Sequence, residues 1–327
     1  MFVPTTFEAA LIMTILSTIC WGSFANTYKF TRNYRFELYY WDYAIGIVAA
    51  ALVLALTMGS MYGGEHSFLM NVRTAALSNL IFAVVGGIIF NVANVLLLAG
   101  IEIAGLAVAF PISIGIALVE GVILSYIIQP KGSAKLLAAG VVLACLAIFL
   151  IGKAYGALQA GNRTISKKGI AVCIVSGVLM GGFAPFVARA MTAAGPLTPY
   201  TVAVFFTLGA LLCCFVFNVY LMKKPIVGQP IGKGAYTSAP FGYHILGLVG
   251  GLIWGIGTVF NFVAASLVGV AISYAIGQAS PMIAALWGVF LWHEFRGASG
   301  RAKAYLAGMF VAYVLALVLI ARAYQVG

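Results

Sequence analysis

The side chains with chemistry to offer are few, and the main ones sit inside apolar runs. Two are acids: Glu120, in Ala117-Leu118-Val119-Glu120-Gly121-Val122, and Asp42, in Tyr39-Tyr40-Trp41-Asp42-Tyr43. A carboxylate among apolar residues is costly unless it is paired, hydrated or protonated. Either acid could therefore exchange a proton or bind a cation. Glu120 stands eleven residues before Lys131, which on a helix is roughly 16 Å from that loop charge. It reads either as a titrating or substrate-binding carboxylate or as a structural one bonded to a neighbouring helix. Asp42 reads first as an acid at a helix N-terminus within an aromatic belt. Its second reading is a coupling residue near Lys29.

The next group is neutral and polar. Asn91 and Asn94 are three apart and share one helix face. Gln278 is followed by Ser280 and the helix-breaking Pro281. Amides and hydroxyls both donate and accept, which suits an uncharged polar ligand; helix-to-helix bonding is the rival use. Trp21, Trp254 and Trp287 could stack on a ring or a sugar face. Gln278, Asn91, Asn94, Trp21, Trp254 and Ser280 are the expected substrate-binding residues. Glu120, then Asp42, is the expected coupling residue, with H⁺ or Na⁺ as the ion.

Other chemistry is excluded. H-E-x-x-H and G-x-S-x-G are absent, and the three histidines fall near span ends or in loops. Gly156 and Gly161 have P-loop spacing, but Asn162 and Arg163 stand where that motif needs Lys and a hydroxyl residue. Asn162-Arg163-Thr164 matches a glycosylation acceptor on the side expected to be cytoplasmic. Cys20, Cys145, Cys173, Cys213 and Cys214 all lie in apolar runs, as small buried hydrophobes rather than a disulfide frame or metal site. No metal, organic cofactor or nucleic acid partner is expected.

The elements that must hold these residues follow from composition. Of 327 residues, 63% are apolar and 8% charged, against roughly 25% charged in a soluble domain. Such a chain needs lipid around it. About 20 apolar residues cross a bilayer, and ten spans are predicted: 6–28, 39–61, 73–98, 104–128, 134–154, 168–190, 197–221, 241–264, 268–291 and 303–323. The fold class is all-α and polytopic. The net charge of +11 reflects orientation rather than nucleic-acid binding. Lys29, Arg32, Arg35, Lys153, Arg163, Lys167, Lys168, Lys223, Lys224, Lys233, Arg296, Arg301 and Lys303 fall on one side. Arg73, Lys131, Lys135, Arg189 and Arg322 fall on the other. The first side should be cytoplasmic, with both termini outside. The N-terminus has no basic stretch of the kind that opens a cleavable signal. A multi-pass protein of the cytoplasmic membrane is expected; the sequence leaves its oligomeric state open, a monomer included.

The chain repeats itself. Ser17, Gly22, Phe24 and Ala25 recur as Ser176, Gly181, Phe183 and Ala184, 159 residues on. Gly86, Gly87, Ile89, Val95, Gly105 and Ala107 recur as Gly250, Gly251, Ile253, Val259, Gly269 and Ala271, 164 residues on. Two five-span halves, 1–155 and 168–327, joined by a cytoplasmic loop at 156–167, would be inverted, since five is odd. Inverted repeats with a substrate site between them belong to secondary transporters.

Ten spans in two such halves resemble the drug/metabolite transporter superfamily. Trp21-Gly22-Ser23 with Lys29-Phe30, then Tyr40-Trp41-Asp42-Tyr43, resembles the ureide permease family. So does Gln278-Ala279-Ser280-Pro281 with Trp287-Gly288 and Glu294-Phe295-Arg296. Ala109-Phe110-Pro111-Ile112-Ser113-Ile114-Gly115 resembles the neighbouring glucose, ribose and rhamnose porters. Two departures stand against the plant ureide permeases: the P-loop-like Lys is missing, and Glu120 has no counterpart there. The resemblance implies uptake of neutral, hydrogen-bond-rich solutes, ureides and oxo-purines in one branch and sugars in the other. The expected function is proton-coupled import of a ureide, nucleobase or oxo-purine. A sugar porter is the alternative, and an exporter of metabolites or drugs comes behind it. An enzyme is not expected, for want of a clustered nucleophile and base.

Overall fold

A computed structural model describes residues 1–31, 34–64, 66–158, 167–226, 228–232 and 234–326. Among them are ten helices long and apolar enough to cross a membrane. They are α1 Phe7–Phe30, α2 Phe36–Leu56, α3 Leu77–Ala104, α4 Pro111–Ile128, α5 Ala134–Leu158, α6 Lys167–Thr192, α7 Pro199–Lys223, α8 Phe241–Val268, α9 Val270–Phe290 and α10 Gly300–Val326. A short helix, Phe68–Thr74, lies between α2 and α3. No strand occurs among the described residues. All ten expected spans are present with shifted ends: the second stops at Leu56, and the third runs from Leu77 to Ala104. Gly161 and the Asn162-Arg163-Thr164 acceptor lie outside the described residues, as does most of the connection expected at 156–167.

Local chemistry sets several helix starts. The Thr6 hydroxyl accepts the Ala9 N–H at 3.3 Å, and Glu8 puts negative charge in the first turn of α1. Thr198 accepts the Thr201 N–H at 3.3 Å, and Pro199 follows it with its dihedral preset for a helix.

The chain forms two compact units, and neither is a sequence half. Unit 1 is Met1–Asn91 with Phe186–Leu267; unit 2 is Val92–Pro185 with Val268–Gly327. Each therefore draws on both halves. Unit 1 holds α1, α2, α7 and α8, and unit 2 holds α4, α5, α9 and α10; α3 and α6 contribute to both.

Unit 1 is drawn together by glycine. Gly247, Gly251 and Gly255 recur every fourth residue on α8 and face α2. A Cβ on Gly251 would strike the Tyr43 carbonyl, and one on Gly46 would strike the Leu248 carbonyl. The crossing of α3 and α7 is built the same way, Gly87 lying on the Phe206 carbonyl and Gly209 on that of Val84. In lipid, where apolar surface gains little by leaving its solvent, such backbone approach is a main source of helix association. The repeated Gly87 and Gly251 thus do the same work in each half.

Unit 2 is held differently. The Tyr274 hydroxyl of α9 reaches the Ala117 carbonyl of α4 at 3.3 Å and the Met180 carbonyl of α6 at 3.2 Å. Gly121 leaves room for its ring. Ser113 donates to the Cys173 carbonyl and Ser176 to the Ala93 carbonyl, each at 2.8 Å. Two more repeated residues, Gly105 after α3 and Gly269 after α8, have φ of +80° and +88°. A side chain would be strained there, so glycine passes the chain from one helix to the next without a loop.

Several spans are irregular, α7 among them, with a π-helical turn at Cys214–Asn218. α4 begins in a π-helical turn, Phe110–Ile114, with Pro111 inside it. α9 loses its regular helix at Gln278 and Ala279, whose ψ values are 0° and 2°, and resumes at Ser280 with Pro281 in its first turn. Broken helices in a membrane line places where backbone groups meet protein or water.

Candidate functional site

In unit 1, the expected tryptophans meet. Trp21 and Trp254 stack with ring centres 5.9 Å apart and planes 16° apart. Phe90 stacks on Trp254 at 4.6 Å, and Tyr43 meets it edge-on at 6.2 Å. The Trp21 indole N–H donates to Thr258 at 3.1 Å, and Thr258 donates to the Trp254 carbonyl at 3.0 Å. Four helices supply this cluster: α1, α2, α3 and α8.

Around it are polar atoms without partners. The Tyr43 hydroxyl, the Ser17 hydroxyl and the Asn91 side-chain NH₂ are buried with no hydrogen-bond partner among the described residues. The Asn91 carbonyl oxygen takes a weak bond from the Cys214 thiol at 3.5 Å. Leaving a buried donor unpaired costs about 1–3 kcal/mol. Three such groups lie in the unit that carries the stacked aromatic set, and unused hydrogen-bonding capacity there suits an uncharged, hydrogen-bonding partner.

Asp42 has partners that sequence reasoning did not find. One carboxylate oxygen accepts from the Tyr236 hydroxyl at 2.6 Å, and the other is 2.8 Å from His244 Nδ1. The side chain is 10% exposed. Gly247 lets α8 close on it, since a Cβ there would lie 2.6 Å from the Asp42 Cβ. Tyr236 packs edge-on against the His244 ring at 4.5 Å, and Tyr34 approaches the same ring at 6.2 Å. Burial, then the Asp42 charge, pushes the Tyr34 hydroxyl up to about 12. Tyr236, between spans, is pushed upward by burial and by its bond to Asp42. Asp42 is therefore more than a helix-end acid in an aromatic belt: it is the centre of a carboxylate–imidazole–phenol group. His244 is the residue missed. It stands near a span end, and only the fold brings it to a partner 202 residues away.

The remaining expected residues lie in unit 2. Gln278 is at the break in α9, 8% exposed, and its carbonyl accepts from Tyr313 at 3.4 Å. Its side-chain amide makes no hydrogen bond to the described residues. Ser280 is half-buried where α9 resumes, and Asn94 is buried on α3. Trp287 is partly exposed on α9. Glu120 lines a cavity of about 510 Å³ between α4 and α5, with Pro111, Gly115, Cys145 and Phe149. Its carboxyl group has no hydrogen bond or ion pair among the described residues. No group of three or more potential metal ligands occurs among the described residues.

With this geometry in place, comparison with known proteins decides the family. The family model described as ureide permease matches residues 39–167 and 159–323. The chain belongs to the ureide permease family. It is similar to ureide permease 4 of Arabidopsis thaliana, 22% identical with 98% of each chain covered. It is also similar to ureide permease 1 of that plant, 20% identical over 85% of this chain and 87% of the relative. The glucose uptake protein GlcU of Bacillus subtilis is 24% identical over 87% of this chain and 88% of its own. A solved structure described only as a protein shares the fold, with a TM-score of 0.65 at 17% identity and 96% of this chain covered. This ureide permease relative is thus a multi-pass membrane protein and a transporter of small solutes, not an enzyme.

Proposed function

We propose that the protein imports a small, neutral, flat solute carrying N–H and C=O groups: a ureide, nucleobase or oxo-purine. The observation that carries this is the stacked Trp21–Trp254–Phe90 set in the unit that also holds the unpartnered Tyr43 and Asn91 groups. A heterocycle offers faces to the rings and an edge to the buried polar atoms. None of Trp21, Trp254, Phe90, Tyr43, Ser17 or Asn91 is charged, which disfavours ionic substrates. Gln278, Asn94 and Ser280 in unit 2 remain candidate substrate ligands, to be tested separately.

Import is coupled to a proton in this reading, with Na⁺ as the alternative ion. Two acids could carry it. Asp42 is the better placed, because its buried carboxylate is bonded to both an imidazole and a phenol. Glu120 borders the α4–α5 cavity without such a partner. The protein would sit in the cytoplasmic membrane with both termini outside.

A sugar is the second reading, favoured by the GlcU relative, which is as similar as the plant permeases. Indole faces also suit the apolar face of a pyranose. Thermal unfolding of the purified protein with uracil, allantoin, glucose or ribose separates the two. A ligand at 100 times its dissociation constant stabilises by about 2.7 kcal/mol if it binds only the folded state. Stabilisation by uracil or allantoin alone supports the first reading; stabilisation by a sugar alone replaces it with the second.

A further inference from the structure

Three cavities on unit 2 share their walls. The first, about 490 Å³, is lined by Pro111, Phe149, Gly152, Lys153, Arg301 and Tyr305 among others. The second is the cavity beside Glu120, which shares Pro111 and Phe149 with the first. The third, about 450 Å³, shares Val119 and Cys145 with the second and runs on past Val142 and Tyr126 to Ala134. Together they make one trough between α4 and α5. It exists because the helices cannot close on each other there. The Pro111 π-turn disturbs the start of α4, and Gly115 has nothing within 4 Å of where a Cβ would stand. Gly152 and Gly156 leave the facing wall of α5 bare.

The trough is cationic at one end only. Lys153 Nζ lies 5.3 Å from the centre of the Phe149 ring, and the Arg301 guanidinium lies 5.6 Å from that of Tyr305. Arg301 Nε also donates to the Tyr305 hydroxyl at 3.1 Å. Neither cation has an ion pair with a described carboxylate. Below them the walls are apolar except at Glu120, and Phe149, Leu146 and Val142 on α5 are exposed. From Lys153 to Cys145 is eight residues, about 12 Å along a helix. That is close to the hydrocarbon depth of one leaflet, about half of 30 Å.

We infer that this trough binds an anionic phospholipid. The headgroup phosphate sits between Lys153 and Arg301, and one acyl chain lies along Pro111, Gly115 and Phe149. A free phosphate would use the cations and leave the apolar channel unused. A zwitterionic lipid would bring its own cation to a mouth that already has two. The inference does not rest on the transport reading: Glu120, the second coupling candidate, borders the same channel, and the test below reads lipid retention rather than transport.

The test is native mass spectrometry of the full chain, stripped of lipid and re-equilibrated with vesicles of phosphatidylglycerol or of phosphatidylcholine. Wild type should retain phosphatidylglycerol and not phosphatidylcholine. A cation near the membrane surface is worth about fivefold in binding an anionic lipid. Lys153→Gln with Arg301→Gln should therefore weaken retention about 25-fold. Gly115→Phe, which fills the channel and leaves both charges, should also abolish retention, and it serves as the reading if the double variant does not fold. Equal retention of both lipids, or unchanged retention in either variant, overturns the proposal. Displacement of phosphatidylglycerol by excess inorganic phosphate overturns it too, by making the mouth a simple anion site.

Discussion

Trp254 is the ring on which the aromatic cluster converges, so its removal should be felt most. Stacking of a flat base on an aromatic side chain is worth about 1–3 kcal/mol. Trp254→Ala should weaken substrate binding by about fivefold to more than a hundredfold, read by radioligand binding to the purified protein. Normal affinity in that variant would remove the cluster from the site. Asp42→Asn keeps the shape and removes the charge. It should abolish accumulation driven by a pH gradient in proteoliposomes while preserving exchange of labelled for unlabelled substrate. If accumulation survives in Asp42→Asn and fails in Glu120→Gln, coupling belongs to Glu120. The phenols make a separate pH prediction. Tyr34 is held neutral in the fold, pushed up to about 12 by burial and by Asp42, against about 10 for a free phenol. A group whose pKa is raised by folding stabilises fully below its unfolded value. That contribution is lost as pH rises from about 10 through about 12. Thermal midpoints should fall over this window, and the fall should be shallower in Tyr34→Phe.

At the scale of the helix, the glycine crossings are the sharpest constraint. Gly87 and Gly209 each face the other helix's backbone, as do Gly46 and Gly251. Carbonyl oxygens cannot swing aside as side-chain ends do, so Gly87→Ala or Gly251→Ala must push whole helices apart. Each should cost several kcal/mol, as overpacking at a rigid contact does, and should cut the yield of monodisperse protein; Gly182→Ala, with nothing within 4 Å, should not. The ten spans were legible because hydropathy and length report directly on lipid. The repeated glycines were legible as letters, but not as contacts. Nothing in Gly87 alone says that its partner is Phe206. The breaks around Gln278 and Pro111 were visible as prolines, and the Asp42 group was half visible: the acid stood out, while its imidazole lay in a distant span. Asn91 and Asn94 share a face of α3 yet fall into different compact units, a division that spacing alone cannot reveal.

For the molecule as a whole, the asymmetry of cations sets a direction. With Lys and Arg concentrated on alternate loops, both ends of the chain should face away from the cytoplasm. A C-terminal alkaline phosphatase fusion expressed in a bacterium should be active and a C-terminal green fluorescent protein dark; the reverse pattern would invert the orientation.

The close crossings also bear on how this protein can be studied from its relatives. Contacts between residues are commonly inferred from positions that change together across a family. A glycine pressed against a carbonyl has no alternative to change to, and nor does its counterpart across the crossing. The tightest approaches in the molecule should therefore leave no trace of correlated substitution. The side-chain-mediated packing of α9 on α4 and α6 through Tyr274 should leave a strong one. A reconstruction built on covariation alone would recover the side-chain pairings well and place the glycine crossings too far apart.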